Sequence, residues 1–221
     1  MNAFDWSVIG QYAGYVAAGI PITLLVSAGA VVIGIVLGVP IAILRLRAWA
    51  PVRWLLLGYV ELFRNTPVLV QVVWFYYVLP VLTGGNLPPV WAGTLAIGLN
   101  TSAYIAEAVR GGIVGIASGQ GEAARCIGMS YWQSMRWIIL PQTSRRMLVP
   151  FANTFVVVIK ESALVSYIGV LDILHRGDVV QVSTFKPLEA YTLVAVFFLI
   201  VITAVTQLMR FMEKRWSPAV D

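Results

Sequence analysis

From Trp6 to Leu44 the chain carries no charged residue: Asp5 is the first charge and Arg45 the first basic side chain. A run this long and apolar is too greasy for the surface of a soluble domain and long enough to cross a bilayer. A hydrocarbon core of about 30 Å takes about 20 residues of helix, and a helix satisfies its own backbone polar groups where no water can. Five segments meet that length: roughly 17–44, 55–82, 90–110, 147–168 and 190–210. Only 11% of the 221 residues are charged and mean hydropathy is +0.84, against about 25% charged in soluble domains. The expected fold is therefore all-α and polytopic, one transmembrane domain over 1–221 with five helices. The N-terminus has no basic region of the kind that opens a secretory leader, so the first apolar segment reads as a retained span. Ahead of it, residues 1–16, with Trp6, Tyr12 and Tyr15, read as an external interfacial segment.

The basic residues give a direction. Arg45, Arg47 and Arg53 follow the first span. Arg110, Arg125, Arg136, Arg145 and Arg146 lie between the third and fourth, and Arg210, Lys214 and Arg215 follow the fifth. These eleven fall on one side; the opposite connections offer only Arg176 and Lys186. The positive-inside rule makes the first side cytoplasmic, with the N-terminus outside and the C-terminus inside. The same asymmetry accounts for the net charge of +5 without nucleic acid.

Several chemistries are excluded. One cysteine, Cys126, and one histidine, His175, leave too few ligands for a zinc or copper site. None of the three lysines, Lys160, Lys186 and Lys214, follows a glycine, so no Walker A phosphate loop is encoded. Neither a Gly-x-Ser-x-Gly nor a His-Glu-x-x-His motif is present, which leaves a membrane-embedded enzyme without catalytic parts.

The residues from 111 to 141 break the apolar pattern on the cytoplasmic side. Gly111, Gly112, Gly115, Gly119 and Gly121 are expected to loosen the backbone where the third span ends. Glu122-Ala123-Ala124-Arg125 favours helix, with the acid at the start suiting the macrodipole. Gly128 is placed to end that helix, and Ser130 with Gln133 has capping-box spacing to begin another over Tyr131–Ile139. The expectation is two short helices with a bend, lying at the inner surface.

Glu122-Ala123-Ala124, three residues, Gly128, nine residues and Ile138-Ile139-Leu140-Pro141 resemble the complete cytoplasmic loop of ABC importer permeases. Glu61-Leu62-Phe63-Arg64-Asn65-Thr66-Pro67 with Gln71, Tyr104 with Glu107, Arg110-Gly111-Gly112-Ile113, Gly119-Gln120 and Lys160-Glu161-Ser162-Ala163-Leu164 narrow the resemblance to the polar amino-acid uptake permeases. It covers nearly the whole chain. Asn65 stands where those permeases usually have Gly or Ser, and Glu161 and Ala163 depart from the commoner Lys-Asp-Thr-Ser-Leu. The resemblance implies a permease dimer, homomeric or heteromeric, two cytoplasmic ATP-binding subunits, an extracytoplasmic amino-acid-binding protein and a bacterial inner membrane. It implies no cofactor on this chain, ATP being used by the partner. Gly121, Glu122, Ala123, Ala124, Gly128, Leu140 and Pro141 would form the ATPase-coupling element, with Ala123 and Ala124 small enough for close docking. The implied substrate is a polar amino acid, glutamate or aspartate slightly favoured.

Charge inside a span costs about 2.5–3.5 kcal/mol at a helix centre, so Lys160 and Glu161 need partners or a water-filled cavity. Either they line a translocation path, with Asn153 and Thr154 beside them, or Lys160 pairs with an acid of a neighbouring helix. Glu107 can line that path or pair with Arg110 at i,i+3. Asn100 and Tyr104 are further candidates for the cavity. Gly34 and Gly38 have the spacing of a close helix contact. His175 reads as a solvated loop residue or a contact for the binding protein. The alternative function is an ion-coupled carrier or channel with Lys160 and Glu161 as a relay, for which five spans without internal duplication are few.

Overall fold

The computed structural model describes residues 4–216 and, within them, the side chains of all but residues 145, 148 and 213–216. The side chains of Arg145, Lys214 and Arg215, and residues 1–3 of the first segment, lie outside that description. Among the described residues every regular element is helical. In order these are α1 (Trp6–Ala17), α2 (Ile20–Arg45), α3 (Ala50–Asn65), α4 (Val68–Val73), α5 (Leu79–Thr83), α6 (Pro89–Val114), α7 (Ser118–Cys126), α8 (Tyr131–Ser134), α9 (Leu140–Glu161), α10 (Ile173–Thr184) and α11 (Pro187–Trp216).

Among the described residues three stretches are long and apolar enough to cross a membrane: Ile20–Arg45, Val149–Ile168 and Pro187–Met212. Ala50–Asn65 and Val68–Thr83 together form a fourth, bent by 105°. The span expected over 55–82 is broken; the bend comes from Pro67. A residue before proline is driven out of the α region, and Thr66 is extended, at φ −110° and ψ 139°. The carbonyls freed at the end of α3 find side chains. Gln71 Nε2 donates to Phe63 O at 2.9 Å and Thr66 O at 3.1 Å, Asn100 Nδ2 donates to Phe63 O at 2.7 Å, and Thr66 Oγ1 donates to Leu62 O at 2.8 Å.

The fifth expected span, 90–110, lies within α6. This 26-residue helix is not among the apolar ones, because it is wrapped by protein instead of lipid. Ala96, Ile97, Asn100, Thr101, Ser102 and Ala103 on it are all buried. Its most extensive contact is with α2, where glycines let the backbones close. A Cβ on Gly34 would stand 2.7 Å from Thr101 Cγ2, and one on Gly38 2.6 Å from the Ser102 carbonyl. The small-residue pattern read from Gly34 and Gly38 is this seam.

Two prolines, one of them Pro141 at the expected end of the cytoplasmic segment, sit in continuing helix. Pro80 and Pro141 each follow a π-helical turn, Trp74–Val78 and Met135–Ile139. Proline has no N–H and its ring collides with the carbonyl four residues back. One extra residue in the preceding turn relieves this: Leu79 N–H donates to Trp74 O and Leu140 N–H to Met135 O. The helix that begins at Tyr131 therefore runs on into the fourth span. Gly111 and Gly112 likewise lie inside α6, and Gly119 and Gly121 inside α7. Gly112 serves packing, its missing Cβ leaving room for Met147 Sδ at 3.0 Å.

On the other side of the bundle, α1 packs on α10 and α11. Asp5 caps α1, accepting from Ser7 N–H at 2.9 Å, and forms an ion pair with Lys186. That partner and Ser7 hold the Asp5 carboxyl down at about 2. His175 is not in a loop: it sits half-buried in the first turn of α10, its Nδ1 3.2 Å from Ser166 O.

Candidate functional site

Two regions carry the residues singled out by sequence. The first is α7 and the turn after it. Gly128, at φ +80°, closes α7 in a complete Schellman arrangement: Gly128 N–H donates to Arg125 O and Met129 N–H to Ala124 O, both at 3.0 Å. The left-handed backbone is the reason for glycine there. Two residues on, the Ser130–Gln133 capping box is fully formed. The bend between the two helices is thus fixed by hydrogen bonds on both sides.

The end of α6 is tied to α9 by Arg146, whose Nη1 donates to Gly115 O at 3.0 Å. Gln142 Nε2 donates to Gln120 Oε1 at 3.4 Å, holding α7 on the same helix. Glu122 and Ala123 face outward, whereas Ala124 is buried against the chain itself. The small side chain of Ala124 therefore serves packing within the loop, not external docking. The outward face is completed by Cys126 and by Ile127, which is 75% exposed. Ile127 escaped sequence reading, although an apolar residue four positions after Ala123 is the signal for a shared helical face. Gly121 is half-buried at the loop's inner side; Leu140 is half-buried and packs with Ile113, Met135 and Met147, while Pro141 is exposed.

The second region is a cavity of about 330 Å³ between α6 and α9, lined by Asn100, Thr101, Tyr104, Asn153, Thr154 and Glu161 together with Val157 and Val158. Four of the six path candidates, on two helices some fifty residues apart in the chain, meet here. Two do not. Lys160 is exposed and points away from this cavity, as a residue about 100° round the helix from Glu161 must. Among the described residues neither Lys160 nor Glu161 has an ion-pair partner.

Glu107 belongs to a different structure at the C-terminal end of α6. It takes the expected pair with Arg110 at 3.0 Å and, in addition, an ion pair with Arg45 from the end of α2. Sequence spacing shows i,i+3 neighbours but not a partner 62 residues away, so Arg45 was not foreseen. Arg64, which does not line the cavity, stands beside one of its walls, its guanidinium 5.4 Å from the centroid of the Tyr104 ring.

Comparison with known proteins gives the family. Residues 30–218 match the family described as binding-protein-dependent transport system inner membrane component. The chain is 39% identical over 193 residues to the probable glutamine ABC transporter permease protein GlnM of Bacillus subtilis, covering 87% of this chain and 89% of that one. It is 33% identical to the glutamine transport system permease protein GlnP of Escherichia coli, covering 96% and 97%. Among solved structures, an amino acid ABC transporter crystallised with histidines superposes with a TM-score of 0.89 at 34% identity, over 97% of this chain and 100% of that one. The chain belongs to the family of binding-protein-dependent transport system inner membrane components, as a non-enzymatic, membrane-spanning permease subunit of an ABC transporter.

Proposed function

We propose that this chain forms, with a second permease subunit, the translocation path for a polar amino acid across a bacterial inner membrane. Alternating access is driven by two cytoplasmic ATPase subunits, and the substrate is delivered by an external binding protein. The five-span topology, with the N-terminus outside and α7 inside, is part of this reading, supported by the charge asymmetry. No cofactor is held by this chain; ATP belongs to the partner. Docking uses the outward face of α7, where Glu122 offers charge and Ala123 and Ile127 offer a close apolar contact.

The observation that carries the substrate reading is the cavity formed by Asn100, Tyr104, Asn153 and Glu161. A free amino acid is a zwitterion, and the site has one group for each end. Glu161 would take the α-ammonium, and Arg64, beside Tyr104, the α-carboxylate. Asn100 has its amide N–H committed to Phe63 O, so Asn153 and the Tyr104 hydroxyl are the polar groups left for the side chain. Among the lining residues Glu161 is the only charged one. A second carboxylate on the substrate would be brought beside it and repelled. The cavity thus favours an amide or basic side chain over glutamate or aspartate, reversing the slight preference drawn from sequence.

The test is substrate binding by the purified permease–ATPase complex without the external binding protein. Glutamine and arginine should raise its melting temperature and glutamate should not, and Glu161→Gln should remove the shift. An equal shift with glutamate would contradict the substrate assignment.

A further inference from the structure

Behind α7 lies a second, larger cavity of about 500 Å³ that the transport path does not use. Its walls come from the cytoplasmic ends of α2 and α6, the inner face of α7 and the start of the π-turn before α9. Leu46, Ile113 and Met135 make it apolar, and among the described residues Arg47 and Arg125 are its only charged side chains. Among the described residues neither arginine has an ion-pair partner. Arg47 is held in place over the Tyr131 ring, its guanidinium 4.4 Å from the centroid. Glu122, one turn before Arg125 on α7, neither pairs with it nor lines the cavity.

We infer that this cavity binds an anionic phospholipid of the inner leaflet, its phosphate between Arg47 and Arg125 and its acyl end against Leu46 and Ile113. The placement rests on the proposed orientation, which puts the cavity at the cytoplasmic membrane surface. Two unpaired guanidiniums above an apolar wall match a ligand that is anionic at one end and apolar at the other. A free phosphate would leave the wall dry and unfilled, and a zwitterionic headgroup would bring its own cation to two arginines. A cytoplasmic leaflet is rich in anionic lipid, and each basic residue near it contributes about 1 kcal/mol. Because Arg47 precedes α3 and Arg125 lies on α7, a phosphate held by both ties the coupling element to the membrane body.

The experiment is native mass spectrometry of the intact permease–ATPase complex released from vesicles of phosphatidylcholine alone or with phosphatidylglycerol. Phosphatidylglycerol should be retained in preference to phosphatidylcholine, inorganic phosphate should not displace it, and Arg47→Gln should lower retention about fivefold while Arg47→Lys keeps most of it. Equal retention of the two lipids, undiminished retention by Arg47→Gln, or displacement by inorganic phosphate would overturn the inference. If Arg47→Gln does not assemble, the comparison of the two lipids on the native complex decides. Uptake in pure phosphatidylcholine reports on the proposed transport function separately, so failure of one does not hide failure of the other.

Discussion

The α2–α6 seam and the α7 joint are built from the same small residues for opposite ends. In the seam, glycines remove side chains so that two backbones touch, and any added atom meets carbonyl or methyl: a Cβ on Gly38 would lie 2.6 Å from the Ser102 carbonyl and 2.8 Å from Ile105 Cγ2. In the joint, glycine buys a backbone angle. Gly128 has open space around its Cα but sits at φ +80°. The seam is rigid because it is full; the joint is defined because its hydrogen bonds are complete, and its outer face remains uncovered. A permease moved from outside needs both, a body that shifts as a unit and a handle whose shape survives being pulled.

That contrast is open to measurement, since seam changes should cost stability and joint changes should cost coupling. Gly38→Ala should have the largest effect. Overpacking typically costs about 1–3 kcal/mol, more than the ~1 kcal/mol alanine gains over glycine in a helix, so the melting temperature should fall. Gly58→Ala is its control. Gly58 lies within α3 with nothing near its would-be Cβ, and the change should be neutral or stabilising. If both behave alike, the seam is not close-packed.

Next is Glu107→Gln, near the C-terminal ends of α2 and α6. The Arg45 side chain is only 9% exposed, and losing its counter-charge should cost about 1–3 kcal/mol, read as a lower unfolding temperature. Gly128→Ala should cost about 1 kcal/mol locally, the penalty for a left-handed backbone. Its distinguishing sign is more ATP hydrolysed per amino acid transported, with global melting nearly unchanged.

A pH-dependent effect concerns Asp172, the N-cap of α10, whose Oδ1 accepts from His175 N–H at 2.8 Å while Oδ2 is buried without a protein partner. Burial raises its carboxyl from 3.8 to about 6. An acid raised on folding contributes stability that is whole below the unfolded value and declines as pH rises through about 6. Stability should therefore drift down between about pH 4 and 7, and Asp172→Asn, which still caps a helix, should flatten that drift.

What could be read from sequence followed how local the cause was. Gly128, the Ser130–Gln133 box and the Glu107–Arg110 pair are decided within one or two turns of chain, and each stands where spacing put it. The apolar periods likewise gave the long helices, because burial in lipid leaves a compositional mark. α6 shows the limit. It is polar for a span because other helices cover it, and composition cannot tell a protein-wrapped helix from a weak one. Pro67, Pro80 and Pro141 show another limit. One stands at a break of 105° whose freed carbonyls are taken by Gln71 and Asn100, and the other two are absorbed by π-turns. The cavity was half legible. Asn100, Tyr104, Asn153 and Glu161 were singled out as polar groups in apolar helices, but that Lys160 points away and Ala124 inward depends on neighbours the sequence does not locate.

The central claim is that α7 is the joint through which a separate ATPase moves these helices, and reversing the charge of the exposed Glu122 tests it most directly. In proteoliposomes containing the whole importer, Glu122→Lys should abolish ATP-driven amino-acid uptake while leaving the melting temperature of the permease unchanged. Uptake at the native rate by Glu122→Lys, or uptake by this chain alone on an ion gradient, would contradict it.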